Sequence, residues 1–271
     1  MILVVDVGNT NMTFGVYEGK ELKTSFRMMS QTPRTSDEYS ISLLNMLQLN
    51  GVEIKDIEGA IIASVVPKLM HALVNGIIKT IGKRPYIVGP GIKTGIKIVT
   101  DNPKEVGPDL IVGAVAAYEL YGGPIIVIDY GTATTFVPVN EKGEFYAGVV
   151  CPGIRISAKA LWEDTAKLPE IEIKKPASIL AKETISSMQA GLIYGQIGQT
   201  KYIIEQIKRE SGYPEMKVVA TGGLGKLVAS EVEEIDYYNP ILVLEGLRIL
   251  YEKNRKQKPQ AKDLSEFDQT E

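Results

Sequence analysis

The feature that most constrains this chain occurs twice. "VVDVGNTN" at 4–11 and "IVIDYGTATT" at 126–135 each run from aliphatics through an aspartate, one further residue and a glycine into hydroxyl and amide side chains. The aliphatic run has the continuity of a strand buried on both faces. A glycine at its end lets the backbone approach a phosphate with no Cβ in the way, and the residues after it bring N–H and hydroxyl donors. One such turn is an ordinary Asx-type hairpin. Two of them, each opening a three-strand stretch in successive halves of the chain, read as a duplicated fold with a phosphate-facing turn in each half. On this reading Asp6 and Asp129 end equivalent strands and are placed to hold Mg²⁺ directly or through water.

A third glycine-rich turn, "ATGGLGK" at 220–226, ends another apolar strand, and its Gly222 and Gly223 suit packing against a nucleobase or ribose. It is not a Walker A loop, because Ala220 stands at the first glycine position and Leu227 follows Lys226. Hairpin-type phosphate turns of this kind belong with the actin-like and sugar-kinase folds. The expected class is α/β, a duplicated fold with a mixed sheet and flanking helices in each lobe, which resembles the ribonuclease-H-like fold. The lobes are expected at 1–115 and 116–254, followed by a polar tail at 255–271 with the composition of a disordered segment.

Element by element, "ILVVDVG", "MTFGVYEG" and "LKTSFRMM" predict a strand followed by an antiparallel meander. "TSDE" predicts a capped helix from Ser36 to Leu49, and a second helix is expected from Lys68 to Ile81. In the second half, "GEFYAGVVCPG" is expected as one third strand, with helices from Arg155 to Asp164, from Glu183 to about Arg209, and from Asn239 to Asn254.

Composition limits the chemistry. A net charge of −3 carries no general basic footprint, so no nucleic-acid partner is expected. A single cysteine and a single histidine exclude an intramolecular disulfide, Cys-based zinc clusters and His-rich metal sites. His71 reads as a structural or surface residue, Cys151 as buried and inert, and Trp162 as a packing residue. No apolar run reaches about 18 residues, and the first residues lack a basic segment and a cleavage site, so a cytoplasmic protein with no membrane partner is expected. The chemistry falls to carboxylates, hydroxyls, lysines or a hard metal ion.

"NPKEVGPDL" at 102–110 leaves two readings of Asp109 open. It either caps the helix "LIVGAVAAYEL" or accepts a proton from a substrate.

The motifs "DVGNTN", "GIKTGIKI", "NPKEVGPD", "DYGTATTF", "CPGIRISAKALWEDTAKLP", "SSMQAGLIYG", "ATGGL" and "NPILVLEGLRILYEKN" together resemble the type III pantothenate kinases across residues 1–254. The resemblance implies phosphoryl transfer from ATP to the primary hydroxyl of pantothenate, giving 4′-phosphopantothenate in the first step of coenzyme A synthesis. It also implies a homodimer centred on the long helix of the second lobe, Mg²⁺ with the ATP, and a monovalent cation, potassium or ammonium. Carried over by motif position, Asp6, Gly8, Asn9, Thr10 and Asn11 face phosphate and metal, and Gly131, Thr132, Ala133, Thr134 and Thr135 form the second phosphate turn. Gly222 and Gly223 lie near the nucleoside, and Gly107, Pro108, Asp109 and Leu110 line the acceptor, with Asp109 as catalytic base. Thr184 would contact pantothenate from the other copy of the dimer.

The acceptor side departs from the family pattern. Gly-x-Asp-Arg is usual where Gly107-Pro108-Asp109-Leu110 stands, a tyrosine is usual near Thr100, and an acid near Val137. Leucine can neither donate a hydrogen bond nor carry charge to a substrate carboxylate. By local motif, Lys104, Arg155 and Lys159 are candidates to replace the arginine. Three other readings stand beside pantothenate kinase: an ATP-dependent kinase with a shifted acceptor, such as one lacking a carboxylate, a non-catalytic regulatory homologue, and a filament-forming actin-like protein.

Overall fold

The computed structural model describes residues 1–256, which form two compact units. One comprises 1–95, 104–116 and the chain from Val243, and the other comprises 96–103 and 117–242. Apart from Arg255 and Lys256, the expected polar tail lies outside the described residues.

In the first unit β1 (Ile2–Val7) pairs antiparallel with β2 (Asn11–Glu18) and parallel with β4 (Gly59–Ser64). β3 (Glu21–Met29) and β5 (Tyr86–Ile87) complete a five-stranded sheet in the order β3-β2-β1-β4-β5. β1 is aliphatic without alternation because both its faces are covered, whereas edge strand β3 alternates exposed and half-buried residues. On one face lie α1 (Ser36–Leu49) and α2 (Pro67–Ile81), whose Leu43, Leu47, Met70 and Leu73 meet Leu3, Val5 and Phe14. The predicted cap of α1 is present as a reciprocal box: Glu38 N–H donates to Thr35 Oγ1 at 3.3 Å and Thr35 N–H donates to Glu38 Oε2 at 2.7 Å. α7 (Leu242–Asn254) reaches the sheet from Val243 onward, with Leu244 beside Gly15 and Tyr251 against Gly59. α3 (Pro108–Tyr121) packs on α7 where Gly246 meets the Val112 backbone.

The second unit repeats the order. β7 (Ile125–Tyr130) pairs antiparallel with β8 (Ala133–Val139) and parallel with β11 (Lys217–Thr221), which pairs with β12 (Tyr237–Tyr238). The stretch expected as one third strand divides into β9 (Glu144–Phe145) and β10 (Val149–Pro152), which both pair with β8, with Tyr146, Ala147 and Gly148 between them. β6 (Lys97–Ile98) extends the edge alongside β9. α4 (Ile154–Glu163), the 28-residue α5 (Thr184–Ser211) and the short α6 (Gly225–Ala229) complete the unit. The last helix starts at Leu242 and not at Asn239, because the Asn239 side chain accepts from Ile241 N–H and holds a turn there.

Cys151 is half-buried on β10, not buried as expected, and desolvation pushes its thiol up. His71 is exposed on α2 and Trp162 half-buried on α4.

A Cβ on Gly246 would lie 2.7 Å from Val112 Cγ1 and closer still to the Val112 carbonyl, so α7 and α3 touch backbone to side chain there. Gly246→Ala is expected to lower unfolding free energy by about 1–3 kcal/mol, read as a lower urea midpoint at unchanged slope.

Candidate active site

The first hairpin is closed from inside. Gly8 N–H donates to the Asn11 carbonyl at 3.0 Å, and Ser30 N–H donates to the Thr10 carbonyl at 3.0 Å. The Gly8 amide is thus consumed by the turn, which leaves the exposed Asn9, Thr10 and Asn11 as the groups a phosphate can meet. The strand register sets Thr13 directly opposite Asp6, so carboxylate and hydroxyl leave the same face of the sheet. Thr13 escaped the sequence reading because it lies in the next strand. The alternation of β2 counted from the turn was the signal that pointed to it.

Asp109 belongs to the same sheet end. Val65 N–H donates to the Val7 carbonyl at 3.0 Å at the close of β1 and β4, and Val65 in turn lies against Gly107. α3 begins at Pro108, which needs no N–H partner at a first helical position, and Ile111 N–H donates to the Gly107 carbonyl at 3.2 Å. Asp109 is therefore inside the first turn and Gly107 occupies the cap, which corrects the cap reading of Asp109. Its carboxylate accepts from its own N–H and from Leu110 N–H, and burial pushes its pKa up by more than those bonds pull it down. Leu110 beside it brings no charge. A Cβ on Gly107 would collide with Asp109 Oδ1, so glycine there makes room for the carboxylate.

The second hairpin has the same construction with one residue fewer at its tip. Gly131 N–H donates to the Ala133 carbonyl at 3.1 Å, and Thr135 stands directly opposite Asp129. Three residues, 131–133, separate the last strand pair here, against four, 8–11, in the first unit. Gly131 and Thr132 are exposed, while Thr134 is fully enclosed in β8 with its Oγ1 lacking a hydrogen-bond partner. Gly153, at the start of α4, packs onto the carbonyls of Gly131 and Thr132 and was not singled out from sequence.

The glycines divide by what demands them. Gly222 has φ +96, and a Cβ there would lie 2.6 Å from the Tyr130 carbonyl oxygen and 2.7 Å from Asp129 Oδ1, so the chain itself requires glycine. A Cβ on Gly131 would meet nothing nearer than 3.5 Å, and one on Gly223 nothing within 4 Å. Open space at these two suits close approach of a ligand. Tyr238 Oη donates to the Gly222 carbonyl at 2.9 Å and steadies that turn.

Among the described residues no group of three or more His, Cys, Asp and Glu forms a metal cage. Single carboxylates with a hydroxyl opposite, at Asp6–Thr13 and Asp129–Thr135, fit a hard cation that arrives with phosphate oxygens in its shell. Thr184 is exposed in the first turn of α5. Of the basic candidates for a substrate carboxylate, Lys159 pairs with Glu163 at 3.4 Å, while Lys104 and Arg155 are exposed.

Residues 2–206 match the family model described as Type III pantothenate kinase. A curated type III pantothenate kinase of Agathobacter rectalis is 60% identical over 257 residues, covering 94% of this chain and 99% of that protein. The chain belongs to the type III pantothenate kinase family. Solved structures under 20% identical add the fold alone. A Campylobacter jejuni protein described as a Baf family transcriptional activator aligns with TM-score 0.58 at 19% identity, over 94% of this chain and 100% of that one. A Sinorhizobium meliloti protein described as a 2-dehydro-3-deoxygalactonokinase aligns with TM-score 0.54 at 13% identity, over 93% and 98%. This type III pantothenate kinase relative has the expected duplicated ribonuclease-H-like fold, with two mixed sheets flanked by helices.

Gly107→Ala is expected to cost little stability, because the Asp109 side chain can rotate away, yet to lower kcat by about 10²-fold through misplacement of the carboxylate. Melting temperature and kcat measured together separate the two effects.

Proposed function

We propose that this protein transfers the γ-phosphoryl group of ATP to the primary hydroxyl of pantothenate, with Asp109 as general base. The observation that carries this reading is a half-buried carboxylate of raised pKa at the same sheet end as the preformed Asp-Val-Gly-Asn-Thr turn. Family membership supports the reaction class, and the burial of Asp109 beside the first hairpin supports its role as base. An Asp109 oxygen accepts the hydroxyl proton as the oxygen attacks phosphorus, and burial raises its basicity above that of a solvated aspartate. Asn9, Thr10 and Asn11 in the first unit, and Thr132 in the second, offer N–H and hydroxyl donors to phosphate oxygens, and the open space above Gly131 lets a phosphate approach closely. Asp6 in the first unit and Asp129 in the second would each offer a carboxylate to Mg²⁺, which would neutralise charge on phosphate oxygens. A monovalent cation, potassium or ammonium, takes oxygens of the same kind. Gly222 and Gly223 border the nucleoside.

Pantothenate carries a carboxylate, and with leucine at 110 its counter-charge falls to Lys104 or Arg155. Leu110 also supports the second reading, an acceptor without a carboxylate. A homodimer is supported by α5, where Gly191, Gly195 and Gly198 line one exposed face with open space above each. Glycine in a helix interior costs about 1 kcal/mol against alanine, a cost that close approach of a second helix offsets. Thr184, exposed in the first turn of the same helix, would serve the other copy's acceptor. Among the described residues no helix is long and apolar enough to cross a membrane, and coenzyme A synthesis suits a cytoplasmic location.

An ADP-release assay with ATP, Mg²⁺ and potassium across pantothenate, pantetheine and simple polyols tests the acceptor. Turnover highest with pantothenate is expected, and turnover only with acceptors lacking a carboxylate selects the second reading. Asp109→Asn is expected to lower kcat by about 10²–10⁴-fold while nucleotide binding is unchanged. In the parent protein the acid limb of kcat/KM is expected above the ordinary aspartate value of 3.8, since the base works only when ionised. The sign for stability is opposite. A raised carboxyl pKa favours the fold below the unfolded value, and that contribution is lost as pH rises through the folded value. Asp109→Asn is thus expected to be no less stable than the parent at neutral pH.

A further inference from the structure

Tyr130 touches three elements at once. Its backbone leads into Gly131 and pairs with Thr134. Its carbonyl oxygen and the Asp129 carboxylate enclose Gly222, and its ring lies 3.0 Å from where a Cβ on Gly225 would stand. Its hydroxyl is 3.0 Å from Thr200 Oγ1, in the inward face of α5 that also carries Ile193, Gln196 and Ile204. Both residues are closed to solvent, Tyr130 at 2% and Thr200 at 0% exposure. A buried phenol held by one partner has no water to fall back on, so loss of that partner favours movement of the ring. The ring cannot move without releasing the turn at Gly222–Gly225 that rests on it.

We propose that Tyr130 is a positioning residue for the nucleotide: its bond to Thr200 anchors it to α5, and it in turn fixes both glycine turns of the second unit. Nothing in the sequence motifs assigns it this role, because it occupies the unspecified position of the Asp-x-Gly device. The inference rests on the nucleotide reading given above.

The test is Mg²⁺–ADP binding by titration calorimetry on the full chain. Thr200→Val leaves the phenol without its partner and is expected to weaken binding about five- to tenfold with the KM for pantothenate unchanged. Thr200→Ser keeps the hydroxyl and is expected to bind like the parent. The double variant Tyr130→Phe with Thr200→Val removes both hydroxyls and is expected to recover parental affinity. A merely structural role lowers the melting temperature of these variants without moving the affinity of the folded fraction. Parental affinity in Thr200→Val overturns the proposal, as does a double variant that binds as weakly as Thr200→Val. If Thr200→Val does not fold, Tyr130→Leu combined with Thr200→Val removes the ring from an apolar pair, and unchanged affinity there overturns the proposal equally. A parent chain that binds no Mg²⁺–ADP sinks the nucleotide reading itself, an outcome distinct from every variant result.

Discussion

The short hydrogen bond that closes each hairpin, Gly8 to Asn11 and Gly131 to Ala133, governs what the rest of the molecule can present. By using the glycine amide internally it fixes the turn before any ligand arrives, so its ordering entropy is borne by the fold and not by the binding step. The strand register below each turn then sets a carboxylate opposite a hydroxyl, Asp6 with Thr13 and Asp129 with Thr135. Everything around the turns serves that arrangement. Ser30 ties the first to β3, Gly153 seats α4 on the second, and Val65 links the end of β1 to the cap of the helix bearing Asp109.

Much of this was legible in the residues. The aliphatic runs before Asp6 and Asp129 declared their strands because a strand covered on both faces has no reason to alternate. The capping box at Thr35 and Glu38 declared the start of α1 through chemistry local to four residues. What could not be read depended on distant partners. Thr13 becomes a site residue only through pairing with β1, and Gly107 only through the carboxylate two residues on, folded back over it. The start of α3 lies two residues before the expected one, because a proline at the first helical position and an aspartate in the first turn look, in sequence, like a loop followed by a cap.

Asp109 shows how one residue carries two opposed demands. Burial makes it a better base and at the same time makes its ionised form a burden on the fold. The two N–H groups of the helix start temper that burden without cancelling it. Leucine at 110, where the family pattern has arginine, leaves this balance to the helix backbone and moves the question of substrate charge away from Asp109.

The one-residue difference between the hairpin tips has a consequence for how such sites diverge after duplication. A change within a strand flips every following side chain to the other face, whereas a change at the tip leaves both faces as they were. The duplicated device therefore separates direction from reach. Pairing below the turn fixes where carboxylate and hydroxyl aim, and the count of tip residues adjusts how far the donors extend, so each copy could change its reach without losing its aim.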